Sequence, residues 1–248
     1  MPEWLVAGGW GLLAGSALLV GAAAGFYVHI DRRIIAAIMA FGAGVLISAL
    51  SFDLMDEAYR RGGFVAAAIG FLSGAAIYSV ANIILARRGA KHRKRSGDQQ
   101  ASDSGSGTAI ALGALLDGIP ESIVIGVSLL GAKSVSLVAV AAVFLSNVPE
   151  GMSSSAGMRR SGRGPAYVFG VWSVIALVSG IAAALGNLLF RDFDPRVIAA
   201  TTATAAGAIL AMIADTMMPE AFESAHDLTG VVTVLGFLCA FLLSKLGG

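Results

Sequence analysis

The chain is 248 residues long, 56% hydrophobic and 13% charged, with a mean hydropathy of +0.80 and a formal net charge of +1. Charged residues make up about a quarter of an ordinary soluble protein. This chain has too little polar surface to cover a soluble globule, which excludes a soluble enzyme domain, a nucleic-acid binder and a disordered chain. Its single cysteine, Cys239, excludes a disulfide framework and a thiolate metal site.

At about 20 apolar residues per membrane-crossing helix, the length holds about eight crossings. The apolar runs fall at 4–27, 34–55, 63–86, 109–130, 135–158, 165–190, 197–218 and 229–246, here numbered spans 1 to 8. Span 1 follows Pro2 and Glu3 without a basic flank, so it reads as a helix and not as a signal peptide. Span 2 closes on LSFDLMDEA, which carries Asp53, and span 3 ends at the basic run from Arg87 to Arg95. The loop 88–108 turns from basic to Ser-, Gly-, Asp- and Gln-rich and is too polar to bury a core. It is predicted to be a flexible cytoplasmic loop whose basic half suits anionic lipid.

Span 4 reads ALLDGIPESIVIG, and Asp117 and Glu121, four residues apart, share one helix face. Pro120 lacks an N–H, frees the carbonyl of Leu116 and kinks the helix. Span 5 repeats the device in FLSNVPEGMSSS, where Pro149 frees the carbonyl of Leu145 beside Asn147 and Glu150. Span 6 carries no carboxylate, span 7 closes on IADTMMPEA with Asp215, and span 8 ends the chain. Glu57, Glu220 and Glu223 read as solvated span ends. Gly44, Gly74, Gly126, Gly170, Gly207 and Gly236 are predicted to let helices approach closely.

The stretches Gly44–Ala58 and Gly207–Ala221 match at four of fifteen positions, and each precedes a span containing Gly-Phe-Leu. This sets spans 1–3 in register with spans 6–8, as inverted repeats around spans 4 and 5. With the N terminus outside, eleven Lys and Arg fall in cytoplasmic loops and six outside, the orientation that positive charge favours. Both termini then lie outside the cytoplasm. The expected fold is all-α: a polytopic membrane protein of eight helices in a 3+2+3 arrangement, forming a single transmembrane domain over 1–248.

An ionised carboxylate within a bilayer is costly unless it meets a cation or a polar pathway. Asp117, Glu121 and Glu150 are such carboxylates, and the spans contain no deep Lys or Arg, so a bound ion or protons must neutralise them. Packed together, the two kinks would gather Asp117, Glu121, Asn147 and Glu150 around a cation.

The paired patterns DGIPES and SNVPEG resemble the signatures of the ZIP (Zrt/Irt-like) divalent-metal transporters, which commonly read HNxPEG and HExPEG. The endings LSFDLMDEA and IADTMMPEA resemble that family's short acidic motifs. The resemblance implies that Glu121 and Glu150 are the central metal ligands and that Asp117 and Asn147 support them. Asp53 takes the place of a histidine in span 2, and Asp215 that of an acidic residue in span 7, both on the metal path. It also implies elevator-like movement of spans 1, 4, 5 and 6 against the other four. The chain lacks the family's usual membrane histidines, which favours a single oxygen-rich site. No prosthetic group is implied. The cargo would be zinc, iron(II), manganese or cadmium, the other partners the lipid bilayer and, in some assemblies, a second copy. The short loops suit a bacterial inner membrane.

Two other functions remain open. An intramembrane protease would use Ser153–Ser155, for which no span supplies a histidine base, or an Asp53–Asp215 dyad. A relative of the same fold would bind or sense metal, or carry protons or monovalent cations, without divalent transport.

Overall fold

The computed structural model describes residues 1–96, 106–130 and 136–246, with only the backbone of 106–108. Its long helices are α1 (Glu3–Tyr27), α2 (Arg32–Ala49), α3 (Asp56–Leu85), α4 (Ser106–Ser128), α5 (Leu137–Arg160), α6 (Pro165–Phe190), α7 (Pro195–Met212), the short α8 (Met218–Ala225) and α9 (Thr229–Leu246). Local chemistry sets their starts. Asp31 caps α2 by accepting from the Arg33 N–H at 2.7 Å, and Asp194 caps α7, whose first residue is Pro195, at 2.8 Å.

No strand occurs among the described residues. Among the described residues six helical runs are long and apolar enough to cross a membrane: Glu3–Tyr27, Arg32–Ala90, Ala109–Ser128, Leu137–Arg160, Pro165–Phe190 and Pro195–Leu246. Two of them, of 59 and 52 residues, would reach about 80–90 Å if straight, against a hydrocarbon core of about 30 Å. Both are broken. Gly63 holds φ +73° and ψ 175°, which a side chain would resist, and His226 at φ 34° opens a single 3₁₀ turn before α9.

Apolar side chains face outward, as a bilayer requires. Phe64, Val65, Ile69, Leu72 and Ile77 of α3 are exposed, as are Val231, Val234, Leu235 and Leu238 of α9. Contiguous apolar surface on this scale marks a membrane or partner interface. The interior is more polar. Residues 149–158 of α5 are buried without a break, Glu150 and Ser153–Ser155 among them, and a helix buried all round lies at the centre of its bundle.

Packing divides the helices into two groups. α1 lies against α5 and α6, and α6 against α4; α3 lies against α7, and α2 against α8 and α9, while α2–α5 and α4–α7 contacts join the two groups. Glycine permits several of these approaches. A Cβ on Gly74 would sit 1.8 Å from the Thr204 carbonyl oxygen, and one on Gly207 would sit 1.9 Å from that of Phe71. The α2–α9 contact repeats the arrangement, with Gly44 against Thr233 and Gly236 against Phe41 at 1.9 and 2.1 Å. Gly126 likewise abuts Ala183, whereas Gly170 faces open space and closes no helix pair.

The aligned stretches of the two repeats share a backbone feature. α2 continues into a π-helical segment, Leu50–Met55, and α7 into another, Ile213–Met217, beginning at matching positions. The α2–α9 and α3–α7 pairs are exchanged by the same correspondence, as an approximate two-fold relation between repeats demands.

One expectation changes in its first part. Residues 86–90 continue α3 as a π-helical turn, Gly89 at φ +102° ends it, and Ala90, Arg93, Lys94 and Ser96 are buried. The Arg93–Ser96 part of the expected flexible loop is therefore packed into the protein, because acids receive its charges, while Arg88 and Lys91 stay exposed. Its second half, 97–105, lies outside the described residues, as do 131–135.

Candidate functional site

α4 and α5 keep their helical course through Pro120 and Pro149 and carry Asp117, Glu121 and Glu150 inward, where they are only 1%, 2% and 4% exposed. Ionised carboxylates at such depth need compensation. The sequence offered no cation within the spans; the structure brings two from the segment after α3. Arg93 and Lys94, 2% and 4% exposed, reach the carboxylates from the side.

Arg93 grips Asp117 in two places, Nε to Oδ2 at 2.9 Å and Nη2 to Oδ1 at 2.8 Å. This fork-on-carboxylate geometry is among the strongest of charged hydrogen bonds. Tyr78 donates its hydroxyl to Asp117 Oδ1 at 2.6 Å and accepts from Arg93 Nη2 at 2.9 Å. Arg93 Nη1 donates to Asn82 Oδ1 at 2.9 Å. Tyr78 and Asn82 lie one turn apart on α3, so a single helix face orients the guanidinium.

Lys94 bridges the two proline-containing helices. Its Nζ stands 2.8 Å from Glu150 Oε2 and 3.4 Å from Asp117 Oδ2. Glu121 lies within electrostatic reach of Glu150, Lys94 and Asp117, yet its buried Oε1 has no hydrogen-bond partner among the described residues. Three carboxylates thus face two cations, and one acceptor is unused.

The rest of the segment is pinned outside this centre. Ser153 Oγ donates to the Lys94 carbonyl at 2.5 Å and lies 3.0 Å from Glu220 Oε1. Ser96 donates to the same Glu220 oxygen through its N–H at 2.9 Å and its hydroxyl at 2.6 Å. Arg95 Nη1 donates to the Pro219 carbonyl at 3.0 Å and pairs with Glu223. Glu220 is consequently buried rather than a solvated span end. His92 of this segment is held below its ordinary pKa by partial burial and by Arg95 and Lys91, so the segment's charge comes from its Arg and Lys residues.

Of the residues predicted for the site, Asp117, Glu121 and Glu150 come together. Asn147 is buried beside them in sequence but spends its amide N–H on the Ala14 carbonyl, at 2.9 Å, and so ties α5 to α1. Asp53 accepts from Ser244 of α9 at 2.9 Å, and its charged neighbours are Lys245 and Asp56 rather than the central acids. Asp215 is exposed; its carboxylate meets the Asn82 amide at 3.4 Å and so reaches the centre only through Asn82 and Arg93. No three His, Cys, Asp or Glu side chains among the described residues stand in an arrangement ready to hold a metal.

Tyr78, Asn82, Arg93, Lys94 and Glu220 were not picked out from the sequence as site residues, and Ser153 was weighed there only as a nucleophile. A signal existed for the cations. Three buried acids without a counter-charge demand one, and the densest basic run in the chain follows α3.

The fold and site define a polytopic α-helical membrane protein with a buried carboxylate centre. No family model matches the chain. It is similar to an Arabidopsis thaliana protein named "Putative zinc transporter", with 27% identity over 209 residues, or 83% of this chain. The aligned part is 33% of that relative's length, so the chain corresponds to about a third of it.

Proposed function

We propose that the protein is a ZIP-type transporter of divalent metal ions, with Glu121 and Glu150 as central ligands and Asp117 in support. The observation that carries this reading is the state of the carboxylates. They are buried on two proline-containing helices, an ammonium touches two of them, and the third keeps an oxygen unpartnered among the described residues. Such a centre is built to take a cation. The name of the plant relative points the same way.

In this reading the two broken runs each cross twice, which gives eight crossings in the 3+2+3 order. The matched π-helical segments and reciprocal helix pairs support the inverted repeats typical of transporters. Elevator-type movement of α1, α4, α5 and α6 against α2, α3, α7 and α9 would slide along the α2–α5 and α4–α7 contacts. Asp53 and Asp215 would serve the two approaches, and Asn147, whose Nδ2 is held by the Ala14 carbonyl, would offer its Oδ1. Oxygen ligands suit manganese or iron(II) and are accepted by zinc. The protein would sit in a bacterial-type inner membrane with both termini outside the cytoplasm.

The test is uptake of zinc(II), manganese(II), iron(II) and cadmium(II) into proteoliposomes, wild type against Glu121→Gln/Glu150→Gln. Flux lost in a folded double variant supports the site, and equal flux overturns it. A second reading, a relative that binds metal without carrying it, draws on the lysine lodged in the centre. It requires saturable binding with no flux.

A further inference from the structure

The segment from Arg93 to Ser96 goes beyond neutralising buried acids, because its members are held in different ways. Arg93 is locked by the Asp117 fork, Tyr78 and Asn82. Lys94 places a compact charge on a flexible stem, and its ammonium touches only carboxylates, Glu150 at 2.8 Å and Asp117 at 3.4 Å. Its backbone is anchored independently through Ser153, and the next two residues through Pro219, Glu220 and Glu223. The side chain can therefore leave the centre while its neighbours stay tethered near it. A lysine suits such exchange better than a forked arginine does.

A metal on a carboxylate oxygen lies about 2.0–2.2 Å away. The Lys94 ammonium is 2.8 Å from Glu150 Oε2, so a metal on that side of the oxygen would overlap it, and one elsewhere in the centre would meet its charge at close range. The two cations exclude each other. The geometry points to Lys94 as a tethered competitor for the metal, a residue of this chain that sets the affinity of the site by holding Glu150 until a divalent ion displaces it. This inference rests on the cation-site reading above.

Binding of manganese(II) and zinc(II) to the full chain in detergent, followed by titration calorimetry, tests it. Lys94→Met keeps most of the stem and removes the charge; it should bind at least tenfold more tightly than wild type. Ser96→Ala, which loosens the anchor at Glu220 outside the centre, should tighten binding by a smaller factor. In wild type, which needs no variant to fold, reductive methylation of Lys94 read by mass spectrometry should be slow without metal and rise when metal saturates the site. Equal affinities of wild type and Lys94→Met, or Lys94 protected despite bound metal, would overturn the inference and leave the cation site standing. Failure of folded wild type and Lys94→Met alike to bind either metal would remove the cation site and this inference with it.

Discussion

The two π-helical segments, Leu50–Met55 and Ile213–Met217, occupy matching places in the repeats but meet different neighbours. At the first, Phe52 packs on Phe237 and Phe241, and Asp53 bonds Ser244. The space nearby, lined by Leu50, Leu54, Val124, Val143 and Ile209, shrinks to 10 Å³, room for about one water. At the second, Asp215 meets Asn82, and Glu220 just beyond it holds the basic segment. The first segment is thus packed in hydrocarbon and the second beside hydrogen-bonded acids and the basic segment. The two segments share a backbone form, and the basic segment after α3 packs beside the second of them.

The sharpest way to break this comparison is to remove the carboxylate centre itself. Glu121→Gln/Glu150→Gln should abolish metal uptake in vesicles. Partners that merely support a metal ligand commonly cost about 10–100-fold, so loss of two ligands should exceed about 100-fold. Next in size is the basic segment itself. Without metal, Lys94→Met leaves Glu150 without its ion pair and should lower stability by about 3–5 kcal/mol, as loss of one partner of a buried pair does. Added divalent ion should recover most of that loss, which thermal unfolding with and without metal would show.

Smaller effects probe the symmetric scaffold. Gly44→Ala and Gly207→Ala each place a Cβ 1.9 Å from a facing carbonyl oxygen, of Thr233 and Phe71, and should each cost about 1–3 kcal/mol, with similar drops in melting temperature if the two repeats are equivalent. The smallest is a control. Arg60 pairs with Asp56 at 3.2 Å on an exposed surface, so Arg60→Ala should change stability by less than about 1 kcal/mol and leave uptake intact.

Much of the fold was legible because membrane crossings leave long apolar runs and because Pro120 and Pro149 flank acids that have no reason to be apolar neighbours. The clustering of Asp117, Glu121 and Glu150 followed from that. The role of Arg93 and Lys94 was not legible. A basic run beside Ser, Gly and Asp has the composition of a solvated loop, and only three-dimensional packing shows that Tyr78 and Asn82 receive it. Asp53 and Asp215 take partners from α9 and α3, which the repeat correspondence exchanges, but Ser244 serves Asp53 alone whereas Asn82 also receives Arg93, a difference that local spacing does not specify.

The most direct measurement is anomalous X-ray scattering from crystals grown with manganese(II) or zinc(II). The account requires a metal peak at about 2.0–2.3 Å from carboxylate oxygens of Glu121 and Glu150, with the Lys94 ammonium moved away from Glu150. A peak elsewhere in the molecule, with Lys94 still seated on Glu150 and Asp117, would contradict it.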